Sequence, residues 1–144
     1  MNTKWKVWVV TGLLFWTTQA IAGPEKQEVR FEFSNARKGG FILCALFSSA
    51  KTFLGKKAVA RTRSVLINGR PVCIFRKVRA GTYGMGCFHD KNGNQKLDTG
   101  WFGIPKEGYA ASNNASGSFG PPSWKKARFV YKKGSFTQKI RLKY

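Results

Sequence analysis

The chain has 144 residues, of which 42% are hydrophobic, and it carries a formal net charge of +20 at pH 7. This length suits one domain with a single core and leaves no room for several. So large a positive charge makes the surface repel other copies of itself and attract polyanions. The partner that we expect is therefore a polyanion or an anionic envelope surface, such as lipopolysaccharide or anionic phospholipid. A basic surface that is merely solvated is the alternative.

The N-terminal segment has the features of a secretory signal. A positively charged start precedes an apolar run over residues 7–16, which is too short to span a bilayer, and residues 20–22 read Ala-Ile-Ala, as a signal peptidase requires. We predict a signal peptide over residues 1–22 and a single domain over residues 23–144 without a transmembrane segment. The protein would then be exported, to the periplasm of a bacterium or to its surroundings. An uncleaved anchor is the alternative, although no stop-transfer flank follows.

The remaining sequence predicts short β-strands separated by turn residues, because apolar and polar residues alternate and no segment has a sustained helical period. A long irregular segment, residues 99–123, precedes the last two strands. About seven strands with regular turns predict an all-β sandwich. In chain order the predicted strands lie at residues 29–33, 41–47, 58–67, 72–78, 83–88, 127–131 and 136–144.

Three cysteines, Cys44, Cys73 and Cys87, fall within these strands. The alternation places all three on apolar faces, so we predict that they lie in the core. If residues 78–83 turn a corner between two sheets, Tyr83 can bond back to the backbone upstream, and Cys44 can meet Cys87 across the core. If the same residues form a hairpin, Cys73 lies opposite Cys87. Buried free thiols are the third possibility.

One segment is rich in side-chain oxygens at the spacing of calcium loops, with a backbone carbonyl, that of Lys96, at relative position 7. The segment lacks the glycine of position 6 and the glutamate of position 12 that such loops use. We therefore favour a rigid turn without a cofactor, built by Asx side chains, and keep a weak Ca²⁺ site as the alternative. Its oxygen-bearing residues are Asp90, Asn92, Asn94 and Asp98.

His89, the only histidine, stands beside Asp90. Neighbours on a strand point to opposite faces, so the two do not form a catalytic dyad. No nucleophile motif, phosphate loop or zinc motif accompanies them. We predict that the protein is not an enzyme. A small hydrolase that pairs carboxylates among Asp90, Asp98 and Glu107 is the residual alternative.

Several segments resemble the bacterial DUF2141 family, a domain of unknown function. The resemblance implies an exported, Ig-like or prealbumin-like antiparallel sandwich, and it brings no established activity, cofactor or catalytic residue. The family usually has glycine where this chain has Gln95, and the cysteines and the strong charge are particular to this chain. The matching segments read ALFSS at 45–49, AGTY at 80–83, FHDKNGN at 88–94, KLD at 96–98, GIPKEGY at 103–109, SNN at 112–114 and FGPP at 119–122.

Our first functional hypothesis is an exported, non-catalytic binding or scaffolding module on an anionic envelope surface. The alternative is a calcium- or carbohydrate-binding module that uses the 90–98 loop and the aromatic loop after it, where Trp101 and Tyr109 either stack on a ligand or, as we favour, pin the loop to the sandwich. A specific nucleic-acid partner is not expected, because paired stacking aromatics are not evident. If the last two strands pair, they form one basic sheet face from Lys126, Arg128, Lys139, Arg141 and Lys143.

Overall fold

A computed structural model describes residues 26–144, so the predicted signal peptide at 1–22 lies outside the described residues. The described chain contains nine strands, one short helix and two 3₁₀ turns. None of its helices is long and apolar enough to cross a bilayer. The strands are β1 (Glu28–Phe33), β2 (Phe41–Phe47), β3 (Ala60–Arg63), β4 (Val65–Ile67), β5 (Arg70–Arg76), β6 (Gly81–Asp90), β7 (Tyr109–Ala111), β8 (Phe129–Tyr131) and β9 (Ser135–Ile140), with 3₁₀ turns at Trp101–Gly103 and Ser112–Asn114 and the helix α1 at Trp124–Ala127.

The strands form two sheets, which confirms the predicted all-β sandwich. The first sheet has the order β4-β5-β1-β9, and the second has the order β3-β2-β6-β7, with β8 also paired to β6. The long strand β6 therefore has β2 along one side and β7 and β8 one after the other along the opposite side. Every pair of strands is antiparallel as predicted except β1–β9, which is parallel. A parallel pair needs a long crossover, and here the whole second sheet lies between its two strands in the chain.

The predicted number of strands was too low at two places. The segment 58–67 does not form one strand but divides at Ser64 into β3 and β4, which belong to different sheets. Ser64 ties this division to β2, because its Oγ accepts the Ile42 N–H at 3.0 Å and its own N–H donates to the Ile42 carbonyl at 2.8 Å. The segment 99–123 is not wholly irregular, since it contains β7 and both 3₁₀ turns.

Alternate residues of the central strands form the core, as the sequence pattern predicts. Phe31 of β1 lies at its centre, with its ring edge-on to Phe75 at 6.1 Å and to Phe129 at 5.8 Å between centroids. Edge-to-face pairs of this kind stabilise a core beyond the area that they bury. The buried apolar side chains of β1, β2, β5 and β6 include Val29, Phe31, Phe33, Ile42, Leu46, Phe75 and Met85.

The chain turns a corner between the sheets after β5. Because β5 lies in the first sheet and β6 in the second, residues 77–80 cannot be the loop of a hairpin. The hydroxyl of Tyr83 donates to the carbonyl oxygen of Arg79 at 3.0 Å. The corner interpretation is therefore confirmed, and the hairpin alternative is wrong.

All three cysteines are buried, as predicted, but the bond is one that the sequence did not suggest. Cys44 of β2 is bonded to Cys73 of β5, so the disulfide joins the two sheets. Both predicted pairings used Cys87, which is instead free and donates weakly to the Ala110 carbonyl at 3.5 Å. Cys87 is the cross-strand neighbour of Cys44 within one sheet, whereas Cys73 faces Cys44 from the other. Burial raises the pKa of the Cys87 thiol, which keeps it protonated and unreactive.

Candidate functional site

Asp90, the last residue of β6, organises the loop that follows it. Its side chain is buried, with Oδ1 accepting the Gly93 N–H at 2.8 Å and Oδ2 accepting the Gln95 N–H at 2.9 Å. Hydrogen bonds from backbone N–H groups to a carboxylate are stronger than those to a neutral acceptor. Asp90 therefore fixes the first half of the loop 90–98, which we call the Asx loop.

Glu107 closes the Asx loop from outside it. The carboxylate is buried, its Oε1 accepts the Lys91 N–H at 2.9 Å, and its Oε2 accepts the Asp98 N–H at 3.1 Å. One side chain thus holds both ends of the loop together. The sequence offered Glu107 only as a possible hydrolytic carboxylate. Its one signal as a clamp was that it is the sole acidic residue in the segment after the loop.

The four predicted oxygen-bearing residues do belong to one site. Asp98 accepts the side-chain N–H groups of Asn92 at 2.6 Å and of Asn94 at 2.9 Å. The Asn92 oxygen accepts the Asn94 N–H at 3.1 Å, and the Asn94 oxygen accepts the Lys96 N–H at 2.9 Å. These are the bonds of the Asx-turn interpretation, so a calcium ion would have to replace N–H donors that already satisfy Asp90 and Asp98. Within residues 26–144, no three His, Cys, Asp or Glu side chains are close enough together to hold a metal ion.

Gln95 has a left-handed backbone conformation, with φ of 60°, at the position where calcium loops have glycine. We expect Gln95→Gly to raise the free energy of unfolding by about 0.5–1 kcal/mol, because glycine adopts this conformation without steric cost. Urea denaturation measures the change. The matched control is Lys96→Gly, one residue further on at a φ outside the left-handed region, which should destabilise instead. Equal effects of the two substitutions would contradict the assignment of strain to Gln95.

A short hairpin over residues 98–106 rises from the Asx loop. Its base is closed by the Lys106 N–H, which donates to the Asp98 carbonyl at 2.8 Å. Trp101 and Phe102 occupy its tip and are 88% and 98% exposed. The prediction that aromatics pin this segment to the sandwich is therefore wrong for Trp101, although Tyr109 is half-buried as part of β7. The hairpin instead presents large apolar side chains to solvent.

A cavity of about 1250 Å³ lies over the outer face of the second sheet, and we call it the groove. Its floor is formed by cross-strand neighbours: Ala45 lies opposite Gly86, and Phe88 lies opposite both Leu43 and Tyr109. At the centre of the floor Ala45 has a small side chain, and the Leu54 side chain packs against the face of Gly86. Lining residues from 95–105 and from 117–122 form its walls.

The basic sheet face that we predicted does not form, because the last two strands do not pair with each other. β8 pairs with β6 of the second sheet, and β9 pairs with β1 of the first. Alternation within each strand could predict which side chains are exposed. It could not predict that the two strands lie in opposite sheets. Lys143 pairs through its backbone with Tyr109, so it stands beside β7.

Four of the five predicted cations nevertheless come together around Asn113 and Asn114. The Asn113 side-chain nitrogen donates to two carbonyl oxygens beside β8, at 3.1 and 2.9 Å. The Asn114 side chain donates to a carbonyl of β9 at 3.1 Å and accepts an N–H just beyond β9 at 2.8 Å. Both asparagines have positive φ, which asparagine tolerates well. The residues whose backbones they contact are Lys126, Arg128, Lys139 and Arg141, all with exposed side chains, and we call these four the basic cluster.

His89 points into the protein, away from the Asx loop. Its Nε2 lies 2.6 Å from the Gly39 carbonyl oxygen, which can only accept, so Nε2 carries the hydrogen. Nδ1 then accepts from the Tyr144 hydroxyl at 2.8 Å. Both ring nitrogens are therefore used, one in a bond to Tyr144 and the other in a bond to the turn that precedes β2. His89 and Asp90 face opposite sides of the strand, as predicted, and do not form a dyad.

The fold and the site define a small, basic β-sandwich with a rigid Asx loop, a disulfide between its sheets and an open groove on one face. The chain belongs to the DUF2141 family: residues 29–139 match the family described as an uncharacterized protein conserved in bacteria. This confirms the resemblance found in the sequence. Neither a curated protein nor a solved structure matches the chain significantly.

Proposed function

We propose that this protein is an exported, non-catalytic binding or scaffolding module that associates with anionic components of the bacterial envelope through its basic surface. The observation that carries the proposal is a large excess of basic side chains that have no acidic partner among the residues that the structure describes. The chain has 26 Lys and Arg against 6 Asp and Glu. Within residues 26–144, one ion pair forms, between Arg30 and Glu28 at 2.7 Å.

Three of the acidic side chains accept hydrogen bonds from amide groups within the protein. Asp90 and Glu107 are buried and accept backbone N–H groups, and Asp98 accepts two side-chain amides. Apart from Arg30, therefore, none of the described lysines and arginines has a carboxylate partner within the described part of the chain. A surface with such an excess of cations attracts anionic surfaces at long range.

The basic cluster concentrates part of this charge. Its residues are held by backbone bonds to Asn113 and Asn114, so their side chains are not needed for those contacts. Each Lys or Arg close to an anionic membrane surface contributes about 1 kcal/mol of attraction. Four such residues in one place would give useful affinity at low ionic strength.

The disulfide supports the proposal of export. Bonds such as Cys44–Cys73 form and persist in oxidising compartments, and they are rare in the cytosol. The family is described in bacteria, where the oxidising compartments are the periplasm and the outside of the cell. A cleaved signal over residues 1–22 is the matching expectation for the N-terminus.

We expect the protein to sediment with phosphatidylglycerol vesicles and not with phosphatidylcholine vesicles at low salt. Binding to the anionic vesicles should fall steeply as salt is raised to about 1 M, where the screening length is only about 3 Å. Cosedimentation at several salt concentrations measures this. Binding that persists unchanged at high salt, or that does not distinguish the two lipids, would contradict the electrostatic proposal.

The contribution of the basic cluster is tested by replacing its four residues with glutamine. We expect the affinity for anionic vesicles to fall by about fivefold for each cation removed, which corresponds to about 1 kcal/mol each. The matched control replaces four exposed cations elsewhere with glutamine, namely Lys51, Lys57, Arg70 and Arg79. Equal losses in the two variants would mean that binding depends on net charge alone and not on the basic cluster.

A further inference from the structure

We propose that the groove binds an anionic amphiphile, that is, a molecule with an apolar chain and an anionic head group. The inference deepens the proposed function, on which it rests, because it names the chemical class of the envelope component and gives it a site of its own. The groove is distinct from the basic cluster, none of whose residues lines it.

The floor of the groove is suited to an apolar chain. It is the face of a sheet, so the backbone N–H and C=O groups of β2 and β6 beneath it are already paired with the strands on either side. An extended peptide is usually recognised at a free strand edge, where such groups are unpaired, and the floor offers none. The side chains that cover the floor are mostly apolar: Leu43, Ala45, Phe47, Phe88 and Tyr109.

The walls carry apolar side chains that the protein itself leaves uncovered. Phe102 and Ile104 from the hairpin line one wall, and Phe119 lines the other, and all three are exposed. Contiguous exposed apolar residues on a small soluble protein are typical of a binding site. Aromatic side chains beside cations are also the pattern with which proteins meet a lipid interface. The three side chains could fold over a chain lying on the floor.

The charged residues that line the groove favour a negatively charged head group. They are Lys56, Arg61 and Lys96, and no carboxylate from residues 26–144 lines the groove. The Arg61 guanidinium donates to the Lys56 carbonyl at 2.7 Å, and the backbone of Lys96 is held by its N–H, which donates to the Asn94 side chain at 2.9 Å. An apolar groove bordered only by cations complements a molecule that is apolar at one end and negative at the other.

The size of the groove agrees with such a ligand. Pockets for small molecules commonly measure about 300–1000 Å³. The groove, at about 1250 Å³, exceeds this range. It therefore has room for an extended chain together with its head group.

The test uses calorimetric titration of the full chain with lauroyl lysophosphatidylglycerol below its micelle concentration. We expect saturable binding that is at least about tenfold tighter than that of lauroyl lysophosphatidylcholine, because the zwitterionic head group offers the cations less net charge. Glycerol 3-phosphate alone should bind at least about tenfold more weakly, since it lacks the chain. Absence of saturable binding, or a head group that binds as well alone, would overturn the inference.

Three variants locate the ligand in the groove. Ala45→Phe fills the centre of the floor and should abolish binding. Phe102→Ser combined with Phe119→Ser removes exposed side chains without disturbing the core, and it should weaken binding about tenfold or more. Glutamine in place of the three lining cations should remove the preference for the anionic head group.

Matched controls lie on the other sheet, where Leu66→Ser and Arg70→Gln remove an exposed apolar side chain and an exposed cation. Neither should change binding, and an equal effect of the control and groove variants would overturn the inference. The two proposals fail separately. Vesicle binding without binding of the monomeric amphiphile would refute the groove and leave the envelope association standing. The reverse result would refute the envelope association alone.

Discussion

Replacing Cys44 and Cys73 together by alanine is expected to lower the free energy of unfolding by about 2–4 kcal/mol. The disulfide closes a loop across a sequence separation of 29 residues and joins β2 of one sheet to β5 of the other. Without it the unfolded chain has a higher conformational entropy, so the unfolded state becomes more stable relative to the folded state. Urea denaturation followed by fluorescence measures the change. Reduction of the unaltered protein should produce a loss of similar size.

The control for this prediction is Cys87→Ala. Cys87 is equally buried but forms no disulfide, so we expect its replacement to cost only about 1 kcal/mol. Thiol titration gives an independent check. Native protein should show no reactive thiol, because Cys87 is buried and its pKa is raised, and unfolding without reductant should expose Cys87 alone. Release of further thiols, or a double variant as stable as Cys87→Ala, would contradict the disulfide between the sheets.

Replacing Glu107 by alanine is expected to lower the free energy of unfolding by about 2–3 kcal/mol, since hydrogen bonds to a charged acceptor contribute about 1.5–3 kcal/mol and their loss leaves donors unsatisfied. Two N–H groups, those of Lys91 and Asp98, lose their acceptor at once. The Asx loop and the hairpin that rises from it should both loosen. Denaturation measures the stability, and hydrogen exchange at the two amides reports the loop directly.

Two further substitutions separate the clamp from a general effect of charge. Glu107→Gln keeps one acceptor oxygen, so we expect an intermediate loss of stability. Glu32→Ala removes a half-buried carboxylate of β1 that forms no ion pair with any of residues 26–144, and it should change stability by no more than about 0.5 kcal/mol. If Glu107→Gln were as stable as the unaltered protein, or if Glu32→Ala cost as much as Glu107→Ala, the clamp would not hold the loop as the structure indicates.

The Asx loop supports part of the groove that we propose as a binding site. It carries Lys96, and it is the base of the hairpin that presents Phe102 and Ile104 to the groove. Residues from five of the seven segments through which the chain resembles the DUF2141 family, those at 45–49, 88–94, 96–98, 103–109 and 119–122, line this groove. The loop for which the sequence favoured a rigid Asx turn, with a weak Ca²⁺ site as the alternative, therefore also supports one wall of the groove.

Alternation of apolar and polar residues was enough to predict the central strands and the core. In β1, β2, β5 and β6 the side chains that point inward are those that the pattern selected, including all three cysteines. The Asx loop was predictable for a similar reason, because Asp and Asn bond the backbone within a few residues of their own positions. Both inferences depend on short stretches of chain, where sequence spacing fixes geometry directly.

The tertiary structure alone decided which strands became neighbours. The pattern of β8 and β9 shows that each has one exposed face, but only the pairings with β6 and β1 place those faces in opposite sheets. The same holds for Cys44, which meets Cys73 because β2 and β5 lie in different sheets that face each other across the core. Alternation with a period of two predicts which face of a strand is buried, but it does not predict which strand pairs with it. The edge pairings, the disulfide and the groove all follow from contacts between segments that are distant in the chain, and the disulfide also requires the two sheets to stack.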